Sequence, residues 1–247
     1  TKAIVCVHYG GLPCDMDELR EIADEWGVPI IEDAAHAVGA SYKGTNIGDI
    51  SEFTMFSFQA IKHLTTGDGG MLMLKDPSLV EKAKRVRWFG IDRGAKQGGI
   101  WENDITEIGY KYQMTDIGAS MGLAALEELG PALDHRKKLF KLYQKGLEGI
   151  SGVEFLDGNR SDRVHAAWLC TIMTDFGKDL QSKLAENGIE SNQVHFRNDR
   201  YSIFKEFTKD AEFPNMDAVE NRYLVLPLHT KVSREDVERI CSLIKEG

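Results

Sequence analysis

What this sequence has little of already narrows its class. Cysteine is scarce: Cys6, Cys14, Cys170 and Cys241 are the whole set, and no two of them form a CxxC pair. That leaves no metal-ligand or thiol-exchange spacing, and it suits reduced, mostly core thiols in a cytoplasmic protein. No apolar run approaches the about 20 residues that a membrane helix needs. No signal peptide opens the chain. Positive charge is in deficit, with 30 Lys and Arg against 39 Asp and Glu and a formal net charge of -9. A general nucleic-acid binder or a polybasic membrane binder is therefore disfavoured, although a local site can still hold a phosphorylated small molecule. Internal repeats and low-complexity segments are absent as well.

What is present reads as a globular α/β protein. The 247 residues are 42% hydrophobic and 28% charged, enough for a real core and for one large domain or one and a half. A buried-looking strand begins at Ala3, almost at the first residue, a start that a natural domain can have and that an internal cut would also give. In the stretch that follows, Leu19, Ile22, Ala23 and Trp26 repeat at helical spacing, with Asp15 and Glu18 as a capping pair and Gly27 as the stop. VPIIED (28–33) is a second strand, so strand, helix and strand make a βαβ unit and a parallel sheet is expected. SEFTMFSF (51–58) and GGMLMLK (69–75) are further strands, 77–88 a helix capped by Asp76, and RGAKQGGIWEND (93–104) a glycine-rich loop. MTDIGASMGLAALEEL (114–129) is a helix of small residues suited to close packing. At Pro131 the character changes to a basic amphipathic helix. Strands at 165–174 and 222–228 and helices at 178–189 and 233–246 follow, the last with Val237, Ile240, Cys241 and Ile244 on one face. The expected division is 1–130 and 131–247, the second part a linking helix with a small α+β domain.

Two positions together suggest chemistry that neither suggests alone. Asp33 closes a buried strand, and ligands of open α/β sheets bind beyond the carboxyl ends of strands. An aspartate there equally caps a turn, or starts a helix through DAAHAVG (33–39). Lys62 follows Ser57 and Gln59, which share one face of an extended segment, and runs into TTGDGG (65–70). Such glycines let a backbone pass close to a ligand. A lysine at its ordinary pKa of about 10.4 is a poor nucleophile, and desolvation or a nearby cation frees its amine. The plain alternative is a solvated lysine at a strand end. A carboxylate at one strand end and a lysine at a later one are what pyridoxal 5'-phosphate requires. The carboxylate keeps the ring nitrogen protonated, while the lysine holds the aldehyde carbon and later moves a proton. Ser57 offers a hydroxyl to the phosphate.

The segments KAIVCVHYGG (2–11), PIIEDAAHAVGASYKG (29–44), FSFQAIKHLTTGDGGMLM (56–73), GYKYQMTDIGASMGLAALEEL (109–129) and LVLPLH (224–229) succeed one another in a way that resembles the DegT/DnrJ/EryC1/StrS family of pyridoxal-phosphate-dependent sugar aminotransferases. The resemblance implies an aspartate-aminotransferase-like (type I) fold: part of the cofactor-binding large domain over 1–130, then the small domain. It also implies a homodimer with shared active sites, a nucleotide-linked keto-sugar as substrate and an amino acid donor, usually glutamate. By resemblance, Lys62 is the Schiff-base lysine, Asp33 the partner of the pyridine nitrogen, His36 a neighbour of the ring, and Ser57 a phosphate ligand. His36 is equally a packed helix histidine, and for His8 and Tyr9 structure is favoured over substrate contact.

This sequence departs from the family at two sites and in length. Lys111 stands where the family often has an asparagine that reaches the neighbouring subunit's phosphate, and Gln113 where arginine is common. A lysine meets phosphate as a point charge. The segment SNQVHFRNDRYSIF (191–204) lacks the family's proline-rich form. In it His195 and Arg197, with Arg200 and the more distant Trp168, are candidates for a substrate carboxylate or nucleotide phosphate. The family also carries an N-terminal segment with a phosphate-gripping helix N-terminus and a ring stacked on the cofactor, and neither has a counterpart here. Three readings follow: a transaminase; a sugar dehydratase of the same fold, disfavoured because the dehydratases replace the lysine by histidine; and a catalytically incomplete relative or fragment that binds a nucleotide-sugar or a partner chain.

Overall fold

The computed structural model describes residues 1–102, 104–156 and 160–246. They divide into two compact units, one within residues 1–9 and 13–130, the other within residues 10–12 and 131–246.

The first unit is built on a four-stranded sheet in which β1 (Ile4–Val7), β2 (Ile30–Asp33), β5 (Phe53–Ser57) and β6 (Gly70–Leu74) lie in that order. β1, β2 and β5 run parallel, with Val7 opposite Asp33 and Asp33 opposite Met55, and β6 returns antiparallel with Gly70 opposite Ser57. Helix α1 (Met16–Trp26) makes the crossover from β1 to β2. It ends at Gly27, whose left-handed φ of 62° lets its N–H reach back to the last turn. One expectation for α1 fails: Asp15 makes no side-chain cap hydrogen bond. Of the apolar stripe only Ala23 is buried, while Ile22 and Trp26 stand exposed. Periodicity identifies a helix face but does not say what covers it. Between β2 and β5, the hairpin of β3 (Ser41–Tyr42) and β4 (Thr45–Asn46) turns through Lys43 and Gly44, both at positive φ.

Strand β2 alternates cleanly. Ile30 and Glu32 are fully buried on one side, and Ile31 and Asp33 face the other, half-buried. Residues 33–40 form turns rather than the helix that DAAHAVG suggests, with Ala37 N–H bonded to Ala34 O and Ala40 N–H to Ala37 O. After β6, a 3-10 turn at Pro77–Leu79 leads into α2 (Val80–Arg87), and Asp76 caps it by accepting from Ser78 N–H at 2.8 Å. The expected glycine-rich loop contains a short helix, α3 (Arg93–Gln97). Asp92 makes it possible by accepting from Ala95 N–H at 2.9 Å, and Asn103 of that loop lies outside the described residues.

The change of character at Pro131 is not a break between helices. A single helix, α4 (Asp116–Gly146), runs through it. An internal proline removes one helix hydrogen bond and crowds the carbonyl four residues back, at a cost of about 3 kcal/mol. The second half of α4 offsets this by burying Leu139, Phe140 and Tyr143.

The second unit holds an antiparallel sheet ordered β10 (Tyr223–Leu226), β9 (Cys170–Thr174), β7 (Val153–Phe155), and β8 (Arg163–Val164) is not one of its strands. Every residue of β9 is buried. The strand expected over 165–174 forms only from Cys170 onward. Before it, Ala167 takes a positive φ, Ala166 and Trp168 N–H groups bond the carbonyls of Gly11 and Gly10, and Arg136 donates to Ala167 O and Trp168 O. Helices α5 (Gly177–Glu186) and α8 (Arg234–Lys245) share the core with the second half of α4, while α6 (Lys205–Thr208) and α7 (Pro214–Val219) are short surface helices. The stripe Val237, Ile240, Cys241, Ile244 of α8 is entirely buried, as its spacing requires, and Ser233 with Asp236 forms a complete capping box. Tyr143 is fully buried, and its hydroxyl donates to Pro227 O at 2.9 Å.

Candidate active site

The site begins where the parallel strands end. Asp33 and Ser57 close β2 and β5, and the register Asp33–Met55 puts both on the same face of the sheet. Asp33 is held by its neighbours: its carbonyl accepts from His8 N–H at 3.1 Å, and Oδ1 accepts from Ala35 N–H at 3.0 Å. It therefore caps a turn as well as facing the strand ends.

The chain then leaves β5 in a closed loop that carries Lys62. Phe58 ties its base twice, through Phe58 N–H to Gly69 O at 2.8 Å and Thr66 N–H to Phe58 O at 2.9 Å. Ser57 Oγ accepts from Gln59 N–H, Gln59 Oε1 accepts from Ile61 N–H, and Lys62 N–H bonds Gln59 O at 2.9 Å. Phe58 and Leu64 are buried beneath the loop. TTGDGG follows because Thr66 needs room. A Cβ on Gly69 would lie 2.2 Å from Thr66 Oγ1, and one on Gly122 of α4 would lie 2.8 Å from Thr66 Cγ2. The small-residue face at the start of α4 is thus the seat against which the Lys62 loop rests.

Lys62 and Asp33 come together electrostatically. Burial holds the Lys62 amine below the usual lysine range, and the charge of Asp33 acts in the opposite direction as its electrostatic partner. Lys62 is half-buried at this strand mouth rather than solvated at a strand end. His36 lies in the turn after Asp33, its ring meeting Tyr9 edge-on at 6.1 Å. Lys111 is exposed, with Nζ 4.7 Å from the centre of the Trp88 ring and 5.8 Å from that of Phe89. The neighbouring Gln113 keeps a buried Oε1 with no hydrogen-bond partner among the described residues.

The two candidates of the second unit have different surroundings. Arg197 is buried and held by carboxylates, bidentate to Asp199 at 2.9 and 2.8 Å and further bonded to Asp217 and Glu220. Those bonds raise its pKa further above the ordinary arginine value. His195 lines a cavity of about 490 Å³ with Asn192, Phe196 and Tyr223, and its carbonyl accepts from the Tyr223 hydroxyl.

One arrangement escaped the sequence reading. Glu32, fully buried, accepts from His8 Nε2–H at 2.8 Å, from Ser51 N–H at 2.9 Å and from Thr54 Oγ1 at 3.2 Å. Burial opposes its charge, yet the bonds from His8 and Ser51 hold its pKa below the ordinary glutamate value. The signal was available: a carboxylate alternating inward with Ile30 in an apolar strand must find a partner.

A turn lysine kept short of full solvation, a strand-end carboxylate beside it and a hydroxyl on the same sheet face suit a pyridine ring bearing an aldehyde and a phosphate. The fold is that of the aspartate-aminotransferase-like, type I pyridoxal-phosphate enzymes. The chain belongs to the DegT/DnrJ/EryC1/StrS aminotransferase family, whose pattern it matches over residues 1–245. Pyridoxal phosphate is the cofactor of that family's aminotransferases. The chain is 38% identical to the uncharacterized protein MJ1066 of Methanocaldococcus jannaschii, covering 100% of this chain and 67% of that one. It is 32% identical to the GDP-perosamine synthase of Escherichia coli O157:H7, over 100% of this chain and 65% of that protein. The crystal structure of the sugar aminotransferase CalS13 from Micromonospora echinospora superimposes with a TM-score of 0.94 at 31% identity, covering 100% of this chain and 68% of CalS13. The chain spans about two thirds of the length of these relatives.

Proposed function

We propose that this chain is the lysine-bearing portion of an aminotransferase that moves an amino group from an amino acid, glutamate by preference, to a nucleotide-linked keto-sugar. The observation that carries the reading is that Lys62, half-buried in the loop after β5, feels the charge of Asp33 at the end of the neighbouring strand β2. Sugar chemistry is supported by the names of its relatives, a GDP-perosamine synthase and a sugar aminotransferase.

In this reading Asp33 binds the protonated pyridine nitrogen, Ser57 donates to the phosphate, His36 lies against the ring, and Lys62 holds the aldehyde carbon. Pyridoxal phosphate supplies an electron sink for the carbon that loses a proton. Lys62 Nζ would take that proton and return it, and burial would favour this because it keeps the amine closer to neutral. Asp33 is held facing the strand ends by the bond from Ala35 N–H and the anchoring of its backbone by His8. Lys111 is proposed to reach the cofactor phosphate of a second copy, and His195 and Arg197 the anionic end of the substrate. Arg197 can do so only by giving up one of its carboxylates.

The test is nitrogen transfer from isotopically labelled glutamate to a nucleotide-linked keto-sugar. Labelled amino-sugar is expected. A deoxygenated sugar, or unlabelled product, contradicts the reading. Asp33→Asn is expected to weaken cofactor retention about 10- to 100-fold, the worth of a hydrogen bond to a charged group.

A second copy is supported by a different observation. Trp101, Ile108, Ile117 and Leu123 are 76%, 81%, 78% and 67% exposed, far more apolar surface than a free face ordinarily shows. Sedimentation is expected to show a dimer, and a monomer at micromolar concentration would refute this part of the proposal. The four thiols, none of them in a disulfide, suit the reducing cytoplasm.

A further inference from the structure

Two arginines of the first unit share one cavity, and neither takes part in the chemistry above. The cavity holds about 240 Å³ and is lined by α2, the turn after it, α3 and Gln113. Four cationic side chains line it, Lys84, Arg85, Arg87 and Arg93, against two carboxylates, Glu81 and Asp92. Most of these charges already have protein partners. Lys84 pairs with Glu81 at 2.7 Å, Arg85 pairs with Glu107 at 2.7 Å, and Asp92 accepts from Ala95 N–H at 2.9 Å. Arg87 and Arg93 remain, and neither guanidinium has a carboxylate partner among the described residues.

The two are set on a fixed frame. Arg93 lies over Trp88, its Cζ 5.2 Å from the ring centre. Tyr110 N–H bonds Val86 O at 2.7 Å, and Tyr112 N–H bonds Arg87 O at 3.0 Å. Gly90 packs so closely on the Glu107 carbonyl that a Cβ has no room there. Charge is concentrated here too. The chain carries a net charge of -9, yet residues 80–97 hold Lys82, Lys84, Arg85, Arg87, Arg93 and Lys96 against only Glu81 and Asp92. Such a patch on an acidic protein draws anions to it.

We propose that Arg87 and Arg93 form a binding site for a diphosphate group, one guanidinium to each phosphate. The planar fork of an arginine meets two phosphate oxygens at once, which a lysine cannot do. Both side chains reach solvent, so the anion has access to them. The cavity is smaller than the about 300–1,000 Å³ of pockets that enclose a whole small molecule. It therefore takes the anion and leaves the rest of a larger ligand outside. Two sources share this chemistry, free diphosphate and a nucleoside diphosphate. The second rests on the nucleotide-linked substrate proposed above. The site itself does not, and it uses neither Lys62 nor Asp33.

The experiment titrates inorganic diphosphate and, separately, UDP into the protein by calorimetry, without pyridoxal phosphate. Inorganic diphosphate is expected to bind, and Arg87→Gln and Arg93→Gln are each expected to weaken it about 10-fold or more. Both variants should unfold at the wild-type urea concentration, because both side chains are exposed. Arg87→Lys keeps the charge without the fork and is expected to recover only part of the loss. Lys82→Gln removes an exposed charge of the same segment that does not line the cavity, and is expected to weaken binding less than about twofold. UDP binding more tightly than diphosphate assigns the site to a nucleotide, and equal binding assigns it to the free anion. Both support the site, and the second does so even if the nucleotide-sugar reading fails. Inorganic diphosphate that does not bind at millimolar concentration, or that binds both glutamine variants of the arginines as tightly as wild type, overturns the proposal. A loss in Lys82→Gln as large as theirs overturns it too, because general attraction would then explain the binding.

Discussion

Lys62→Ala is expected to abolish transamination, with a loss of about 10²–10⁴-fold for the proton-transfer role alone and more once the covalent anchor is gone. Stability should change little, because Lys62 is only half-buried and its backbone bond to Gln59 O is independent of the side chain. Lys62→Arg is the sharper variant: it keeps the charge beside Asp33 and cannot be deprotonated at working pH. The account predicts that both variants lose activity while unfolding at the wild-type urea concentration. The pH profile carries a second expectation. Burial lowers the amine below its ordinary 10.5, so reaction of the apoprotein with pyridoxal phosphate should rise with pH and reach its midpoint below that value. A midpoint at or above 10.5 would mean that the amine is an ordinary solvated lysine.

Glu32→Ala carries the second large effect, this time on stability. The substitution leaves His8 Nε2–H, Ser51 N–H and Thr54 Oγ1 without their acceptor in a site from which water is excluded. Each buried donor left without its acceptor costs about 1–3 kcal/mol. Glu32→Gln should cost less, because its carbonyl can still accept one of the three donors. Its amide must face a donor, though, and His8 cannot switch tautomer while Nδ1 holds the Cys14 N–H. The two variants should therefore be graded in urea unfolding, and a Glu32→Ala protein within about 1 kcal/mol of wild type would contradict the account. The sign of the pH dependence follows from the lowered pKa of Glu32. Its contribution is fully present above the ordinary value of 4.5 and is lost as pH falls through the lower folded value.

The residues that were legible in the sequence are those whose role is local. The stripe of α8 is buried where its spacing places it, and the βαβ unit puts Asp33 at a strand end, as an apolar run closing in carboxylates suggests. Lys62 stood out because a strand ran into a lysine and then into glycines that only a close backbone approach explains. What was missed depends on distance along the chain. His8 and Glu32 are 24 residues apart and meet only because Val7 pairs with Asp33. The continuity of α4 past Pro131 is decided by the core beneath its second half, which a proline in a sequence does not reveal. The short helix at Arg93–Gln97 depends on one capping carboxylate, Asp92, in a stretch whose glycines argue for a loop.

The most direct test of the central claim asks which amine takes the cofactor. The protein is incubated with pyridoxal phosphate, reduced with borohydride, digested and mapped by mass spectrometry. The account predicts a single dominant adduct on Lys62. An adduct spread over exposed lysines such as Lys43 and Lys84, with Lys62 unmodified, would contradict it.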